Sequence, residues 1–278
     1  MSKLLNETSH QVIDVHSYVV CEPSDLLSWL DEVADSYVTL RTECAAPLPA
    51  GLSLAGIGIV DTASIQKRLA KALVPVPSQG LGPLGISRSD LSEVAGYLLL
   101  EDKYDTLIGY KLVRDRELVK LPGRGIDAIG IEEGAKLKVV LSEIKFSDQD
   151  LRPKPPGVVD AGADCMRAQH IGHLSELEFT VGKILDCGRR AKDERLQALY
   201  FSAAIYLEHA AWESVDIISS CILVRPKERH SPSDFGTFKG SPTDFAPGTI
   251  RFVVINLPGT MDEILAKWGD LVEKRRAQ

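Results

Sequence analysis

The sequence predicts an α/β (α+β) protein, a mixed β-sheet flanked by helices with a smaller N-terminal α/β extension. Three observations predict it. From Ser87 onward, segments of helical apolar spacing and segments of strand character follow in the order helix, three strands, helices, strand. Helices and strands separated in this way fold as a sheet covered on both faces. A proline- and glycine-rich stretch, Pro75 to Pro83, sets this part off from what precedes it. The chain has 278 residues, 44% of them hydrophobic, which is enough to bury a full core.

The elements are justified in turn. Gln11 to Val20 alternates as a strand does, and a helix is expected from Ser24 to about Thr42. Pro23 and Ser24 stand at its start, and Leu26, Leu27, Leu30, Val33 and Val38 approximate one apolar face. An apolar stretch, Gly51 to Val60, leads to a predicted helix at Ala63–Leu73. Beyond the boundary, Ser87, Ser89 and Asp90 offer N-caps for a helix to about Glu101, with Leu91, Val94, Ala95 and Leu98 facing the core. Strands follow at Leu107–Val113, Gly125–Ile131 and Leu137–Phe146, the last two joined through Glu132-Glu133-Gly134-Ala135. Pro153, Pro155 and Pro156 interrupt the chain, and a helical region in at least two pieces runs from about Asp160 to Trp212. Val215–Val224 is β-branched and nearly all apolar, the pattern of a strand buried on both faces. A polar loop from Arg225 to Gly248, a strand at Thr249–Leu257 and a helix at Met261–Arg275 complete the reading.

Charge and cysteine content narrow the function classes. No apolar run reaches the roughly 18 residues that cross a bilayer, and Met1 to His10 is polar, without the pattern of a signal peptide. The five cysteines, at 21, 44, 165, 187 and 221, form no C-x-x-C pair, which fits reduced thiols in cytoplasm better than a disulfide framework or a zinc ribbon. The net charge is −7, and residues 1–60 hold two basic residues against eight acidic ones. Attraction to phosphate dominates affinity for DNA, so such a chain is a poor autonomous DNA binder.

One group of residues carries chemistry. Side chains at i and i+2 of a strand share a face, so Glu143 and Lys145 project together, and Asp127 lies on the preceding strand. A hairpin with one bulged residue would set Asp127 diagonally across from Glu143. Two carboxylates suit a hard cation that keeps several waters, as Mg²⁺ does, and leave positions for a phosphate oxygen and a water. The Lys145 ammonium would orient that water or steady charge on the phosphorus centre. Gly125, just before Asp127, would let a substrate backbone approach. An acid-x-basic triplet alone is cheap, with about four expected by chance in this composition. The strand context and the acid on the neighbouring strand are what single out Glu143-Ile144-Lys145.

Gly125-Ile126-Asp127, fifteen residues, then Glu143-Ile144-Lys145 resembles the signature of the PD-(D/E)XK nucleases. The order of elements from Ser87 to Val224 is similar to the αβββαβ core of that superfamily, with Ile126 in place of the nominal proline. The resemblance implies a restriction-endonuclease-like domain over residues 88–278, a linker at 76–87 and an acidic partner-docking extension at 1–75. It implies Asp127, Glu143, Lys145 and Glu93 as catalytic residues. Mg²⁺, for which Mn²⁺ can substitute, would be held by Asp127, Glu143, Glu93 and the Ile144 backbone carbonyl. The Ser89–Leu100 helix and the Gly125–Ser147 hairpin further resemble the HamA family, nuclease subunits of the Hachiman anti-phage defence system. Members of that family work with a helicase-like partner, HamB. The expectation is therefore an Mg²⁺-dependent deoxyribonuclease, cytoplasmic, held inactive by a HamB-like helicase subunit that delivers it to DNA. A free-standing restriction or repair nuclease and a non-catalytic nuclease-fold scaffold stay open as alternatives.

Other signals point elsewhere. Gly80 to Gly85 fits G-x-G-x-x-G but follows prolines rather than a strand, and reads as a linker. His170 and His173, one helical turn apart, lack an obvious third metal ligand and read as packing or surface histidines. Basic clusters at Arg189-Arg190, Arg225–Arg229 and Lys274–Arg276 read as solvated faces, with the Arg225–Lys239 loop as a candidate for phosphate contact.

Overall fold

The structure is a computed structural model that describes residues 4–43, 86–115 and 125–276, with short pieces at 53–54, 58–59 and 73–74. The helix expected at Ala63–Leu73, the G-x-G-x-x-G stretch and nearly all of the 76–87 linker lie outside the described residues. Ser53–Leu54 and Gly58–Ile59 form a small antiparallel ladder.

The chain opens with a hairpin, β1 (Leu5–Ile13) and β2 (His16–Pro23). The alternating run Gln11–Val20 is thus two strands, because Asp14 adopts a left-handed φ of 53°, which acids tolerate better than most side chains. Helix α1 (Leu26–Thr42) begins one residue later than its expected cap, since Asp25 rather than Ser24 accepts the Ser28 N–H at 2.7 Å. Its buried face is Trp29, Leu30, Val33, Ala34 and Tyr37, while Leu27 is exposed. Helix α2 (Ile86–Tyr104) starts early enough to place Asp90 inside it. Asp90 ties α2 to α1 instead of capping, accepting from the Tyr37 hydroxyl at 3.0 Å and facing Arg41 at 3.6 Å.

Strand β3 (Leu107–Lys111) gives way to a single turn, α3 (Leu112–Asp115), where the Asp115 carboxylate takes the Lys111 N–H. Strands β4 (Ala128–Glu132) and β5 (Leu137–Phe146) form the expected hairpin. The helical region divides into α4 (Gly157–Asp160), α5 (Met166–Ser175), α6 (Leu177–Arg190) and α7 (Glu194–Glu208). Strand β6 (Val215–Pro226) follows; the polar loop after it is folded into short turns and α8 (Gly236–Gly240). Strand β7 (Thr249–Leu257) and α9 (Met261–Arg276) end the described chain.

All seven strands join one mixed sheet in the order β1-β2-β7-β6-β5-β4-β3. Strands β2, β7, β6 and β5 are mutually parallel, and β3, β4 and β5 form an antiparallel meander. Helices cover both faces. One face buries Trp29, Val33, Leu91, Val94 and Trp268 of α1, α2 and α9 against Ile144, Ile222 and Val253. The other buries Val181, Ile184, Tyr200 and Ala203 of α6 and α7 against Ile129, Leu141 and Ile217. Beside that second cluster, Val159, Met166, Phe238 and Phe245 pack on Leu223 and Phe252. Successive residues of β6 therefore serve opposite faces, which explains its unbroken apolar sequence. No helix among the described residues is long and apolar enough to cross a membrane.

Candidate active site

The site forms where β4 and β5 meet below α5. The four-residue loop 133–136 sets a register in which Ala128 faces Ser142 and Glu132 faces Lys138, with no bulge. Extended by one residue, that register sets Asp127 directly opposite Glu143, closer than the diagonal placement expected from sequence. The Asp127 N–H donates to the Ser142 carbonyl at 3.1 Å. Its carboxylate then takes over the next ladder position, Oδ2 accepting the Ile144 N–H at 2.6 Å. Gly125, with φ of 93°, stops β4 from extending as far back as expected.

Lys145, two residues beyond Glu143, brings its Nζ to 3.3 Å from Glu143 Oε2 and 3.7 Å from Asp127 Oδ2. Asp127, Glu143 and Lys145 are thus together on one face of the sheet. Glu143 is fully buried, and its Oε2 lacks an aligned hydrogen-bond partner. Glu93 is buried on α2, one turn before Tyr97, whose hydroxyl lies 3.5 Å from Glu93 Oε2 and donates to the Asp127 carbonyl at 3.1 Å. Gly96 allows α2 to come this close, since a Cβ there would sit 2.6 Å from Ile144 Cδ1. Glu93 is nevertheless not gathered with the other two acids. Among the described residues, no three His, Cys, Asp or Glu side chains are grouped to hold a metal ion.

Burial raises the pKa of Asp127, and the neighbouring charge of Glu143 raises it further against the pull of Lys145. Burial likewise raises Glu143, opposed first by Lys145. For Lys145 burial favours the neutral amine, but Asp127 and Glu143 outweigh it and the pKa rises. Lys145 thus keeps its ammonium, while Asp127, pushed up to about 8, holds a proton at neutral pH beside Glu143.

Two further side chains reach the site. His173 of α5 places Nε2 3.0 Å from Glu143 Oε1. Burial, and then the Lys183 charge, depress its pKa to about 4, so at neutral pH it is a neutral ring whose Nε2–H would donate to the carboxylate. Lys183 of α6 lies near Gly125, its Nζ 2.9 Å from where a Cβ on that glycine would be. Its own pKa is lowered by burial, against the field of Glu143. The His170/His173 spacing was the one sequence signal for the first of these. His170 is the packing histidine, fully buried edge-on to Phe238, and His173 is the one facing the acids. Nothing in the sequence marks Lys183.

The basic clusters are mostly paired. Arg225 is buried, 2.5 Å from Asp234, so it braces the loop from inside instead of meeting solvent. Arg229 pairs with Asp150, Lys227 with Glu22, and Arg189 and Arg190 with Asp186. Cys21, Cys165, Cys187 and Cys221 are free thiols, all buried. No protein-family model matches the chain, and neither a curated protein nor a solved structure matches it.

Proposed function

We propose that the chain is a metal-dependent deoxyribonuclease of the PD-(D/E)XK kind. One observation carries the reading: Asp127 and Glu143 oppose each other on adjacent strands, and Lys145 faces both within 3.7 Å. The meander β3-β4-β5, with α2 before it and a parallel β6 after the α4–α7 crossover, agrees with the αβββαβ order of that superfamily.

The donor set fits a hard divalent cation. Both carboxylates are buried and share the one ammonium within ion-pair distance, and Glu143 Oε2 is left without an aligned hydrogen bond. Asp127 and Glu143 would hold Mg²⁺ or Mn²⁺, with the Ile144 carbonyl and Glu93 as the outer members of the set inferred from the resemblance. When bound, the ion supplies charge neutralisation on the phosphate and acidifies a water. The chain's own residues do the rest. Lys145 orients the attacking water and steadies the charge that builds on the phosphate oxygens. His173 fixes the Glu143 carboxylate through Oε1, and Tyr97 holds the Asp127 backbone. In the overall reaction a water oxygen bonds phosphorus, one P–O ester bond breaks, and its oxygen departs as an alcohol.

As in the HamA family, we read the enzyme as an anti-phage effector restrained and delivered by a helicase-like subunit. The net charge of −7 and the pairing of its basic clusters support dependence on a partner. The non-catalytic alternative draws on the absence of a three-ligand set among the described residues. Glu143→Ala and Lys145→Ala variants that fold should lose Mg²⁺-dependent cleavage of DNA and phage protection. Full activity in both variants would exclude the reading. A wild-type protein that binds no Mn²⁺ in calorimetry would favour the scaffold.

A further inference from the structure

A cavity of about 870 Å³ opens between β3 and α6, with Lys183, which feels the charge of Glu143, on its wall. Its walls include Tyr110, Ile129, Phe179, Gly182, Lys183 and Cys187. Phe179 is 60% exposed. Lys183 belongs to both spaces. Its ammonium lies 5.0 Å from the Phe179 ring centre, within the field of Glu143, and against Gly125, where any side chain would displace it. No carboxylate lies within ion-pair distance of Lys183 among the described residues, whereas Asp115 and Asp186 on the same wall are paired with Arg114 and with Arg189 and Arg190.

A half-buried cation between an acidic, metal-suited site and an aromatic cavity matches one arrangement in a nucleic acid. A phosphate takes the cation, and the attached base leaves the stack for the aromatic surface. We propose that this cavity receives the unstacked base of the nucleotide adjoining the phosphate at Asp127 and Glu143, with Lys183 on the linking phosphate. The substrate is therefore single-stranded or splayed DNA, since a base inside continuous duplex must first unpair and unstack. The inference rests on the nuclease reading and specifies its substrate class and a positioning residue. Glu176 and Glu178, which have no ion-pair partner among the described residues, also line the cavity. They repel backbone phosphate there, which leaves that space to the base and the Gly125 side to the phosphate.

Gly182 supplies the sharpest test, because a Cβ added there meets nothing within 4 Å. Gly182→Phe introduces a large side chain into the cavity from an open position and replaces a helical glycine, so it should fold; circular dichroism melting checks this. Binding of a labelled oligothymidylate and of a blunt duplex of equal length is measured with the full chain at low salt, where weak phosphate contacts are detectable, in Ca²⁺, which limits turnover. Wild-type protein should prefer the single strand by about tenfold or more. Gly182→Phe and Phe179→Ala should remove that preference and leave duplex binding unchanged. Lys183→Gln should weaken both, and Lys183→Arg should restore most of the loss. Equal affinity of wild-type protein for the two probes, or a silent Gly182→Phe, would overturn the proposal. If the wild type also cleaves duplex in a Glu143-dependent way, the nuclease reading survives that outcome. If it binds neither Mn²⁺ nor DNA, both fall together.

Discussion

Replacing Asp127 by asparagine should stabilise the metal-free protein while abolishing its chemistry. The structure gives the reason. Asp127 is 4% exposed and Glu143 0%, and among the described residues the two acids share only Lys145 as a lysine or arginine neighbour within 4 Å. An asparagine carbonyl oxygen can still accept the Ile144 N–H that Asp127 Oδ2 takes at 2.6 Å. Its amide can donate to Glu143, in place of the proton that the raised pKa of Asp127 keeps on the pair. Removing the cost of holding that acid in the interior while keeping shape and acceptor is worth on the order of 1–4 kcal/mol. For a chain of this size each kcal/mol moves Tm by roughly 2–4 °C, so a rise of about 2–16 °C is expected in EDTA. Added Mg²⁺ should raise the wild-type Tm and leave Asp127→Asn where it was, because ligand binding stabilises only the protein that binds. Differential scanning fluorimetry with and without metal reads both effects. A variant that melts below wild type in EDTA, or one that responds equally to Mg²⁺, would refute the reasoning.

Other expectations follow from the same physics. Arg225→Ala strands Asp234 without its 2.5 Å partner inside the protein, so urea unfolding should show a loss of about 3–5 kcal/mol; a loss near zero would mean the pair braces nothing. His170 has its pKa depressed to about 3 by burial, with the charges of His173 and Lys145 adding to the effect. The unfolded chain accepts that proton below about pH 6.5, so the stability His170 lends is complete above that pH and falls as pH drops toward 3. His170→Gln should flatten the stability profile in that window by about 1.4 kcal/mol per pH unit, and profiles that stay parallel would count against a neutral buried ring. Burial pushes the Cys21 thiol up to about 11 and the Cys221 thiol well above its ordinary value, so neither should be alkylated in the native protein at neutral pH. Rapid iodoacetamide labelling at either site, mapped by mass spectrometry, would contradict their placement in the core.

What the sequence made legible was local periodicity, and what it hid was tertiary. The bounds Leu137–Phe146 and Thr249–Leu257 emerge as read, because both strands are long, β-branched and closed by turn residues. Glu143 and Lys145 sharing a face follows from the two-residue repeat alone. Asp127 was legible to within one residue, as the loop length was known but not its geometry. Strand β1 was not, because it is an edge strand largely exposed on both faces and LNETSHQVI carries little apolar alternation. His173 and Lys183 enter the site only through the way α5 packs on β5 and α6 on β3. Helical spacing fixes which residues share a face of a helix, not which strand that face meets. The acid–x–lysine triplet was visible, while the pocket beside it required the fold.

The burial of the acids bears on regulation as well. On the proposed nuclease reading, a site with both acids in the interior and a lysine already beside them would act only once a cation is bound, and the described basic clusters pair largely with acids of the same chain. Arg229 faces Asp150, Lys227 faces Glu22, and Arg275 faces Asp31 and Asp35. Cations engaged in this way contribute little to holding a phosphate backbone, since capture would first break each pair. Lys145 and Lys183, set at the carboxylates, are suited to act on a strand that something else delivers. If DNA is instead captured by the isolated chain at physiological salt, with a steep loss of affinity as salt rises, the inference that a partner must present the strand fails. The carboxylate–lysine geometry would then belong to a self-sufficient enzyme of the same fold.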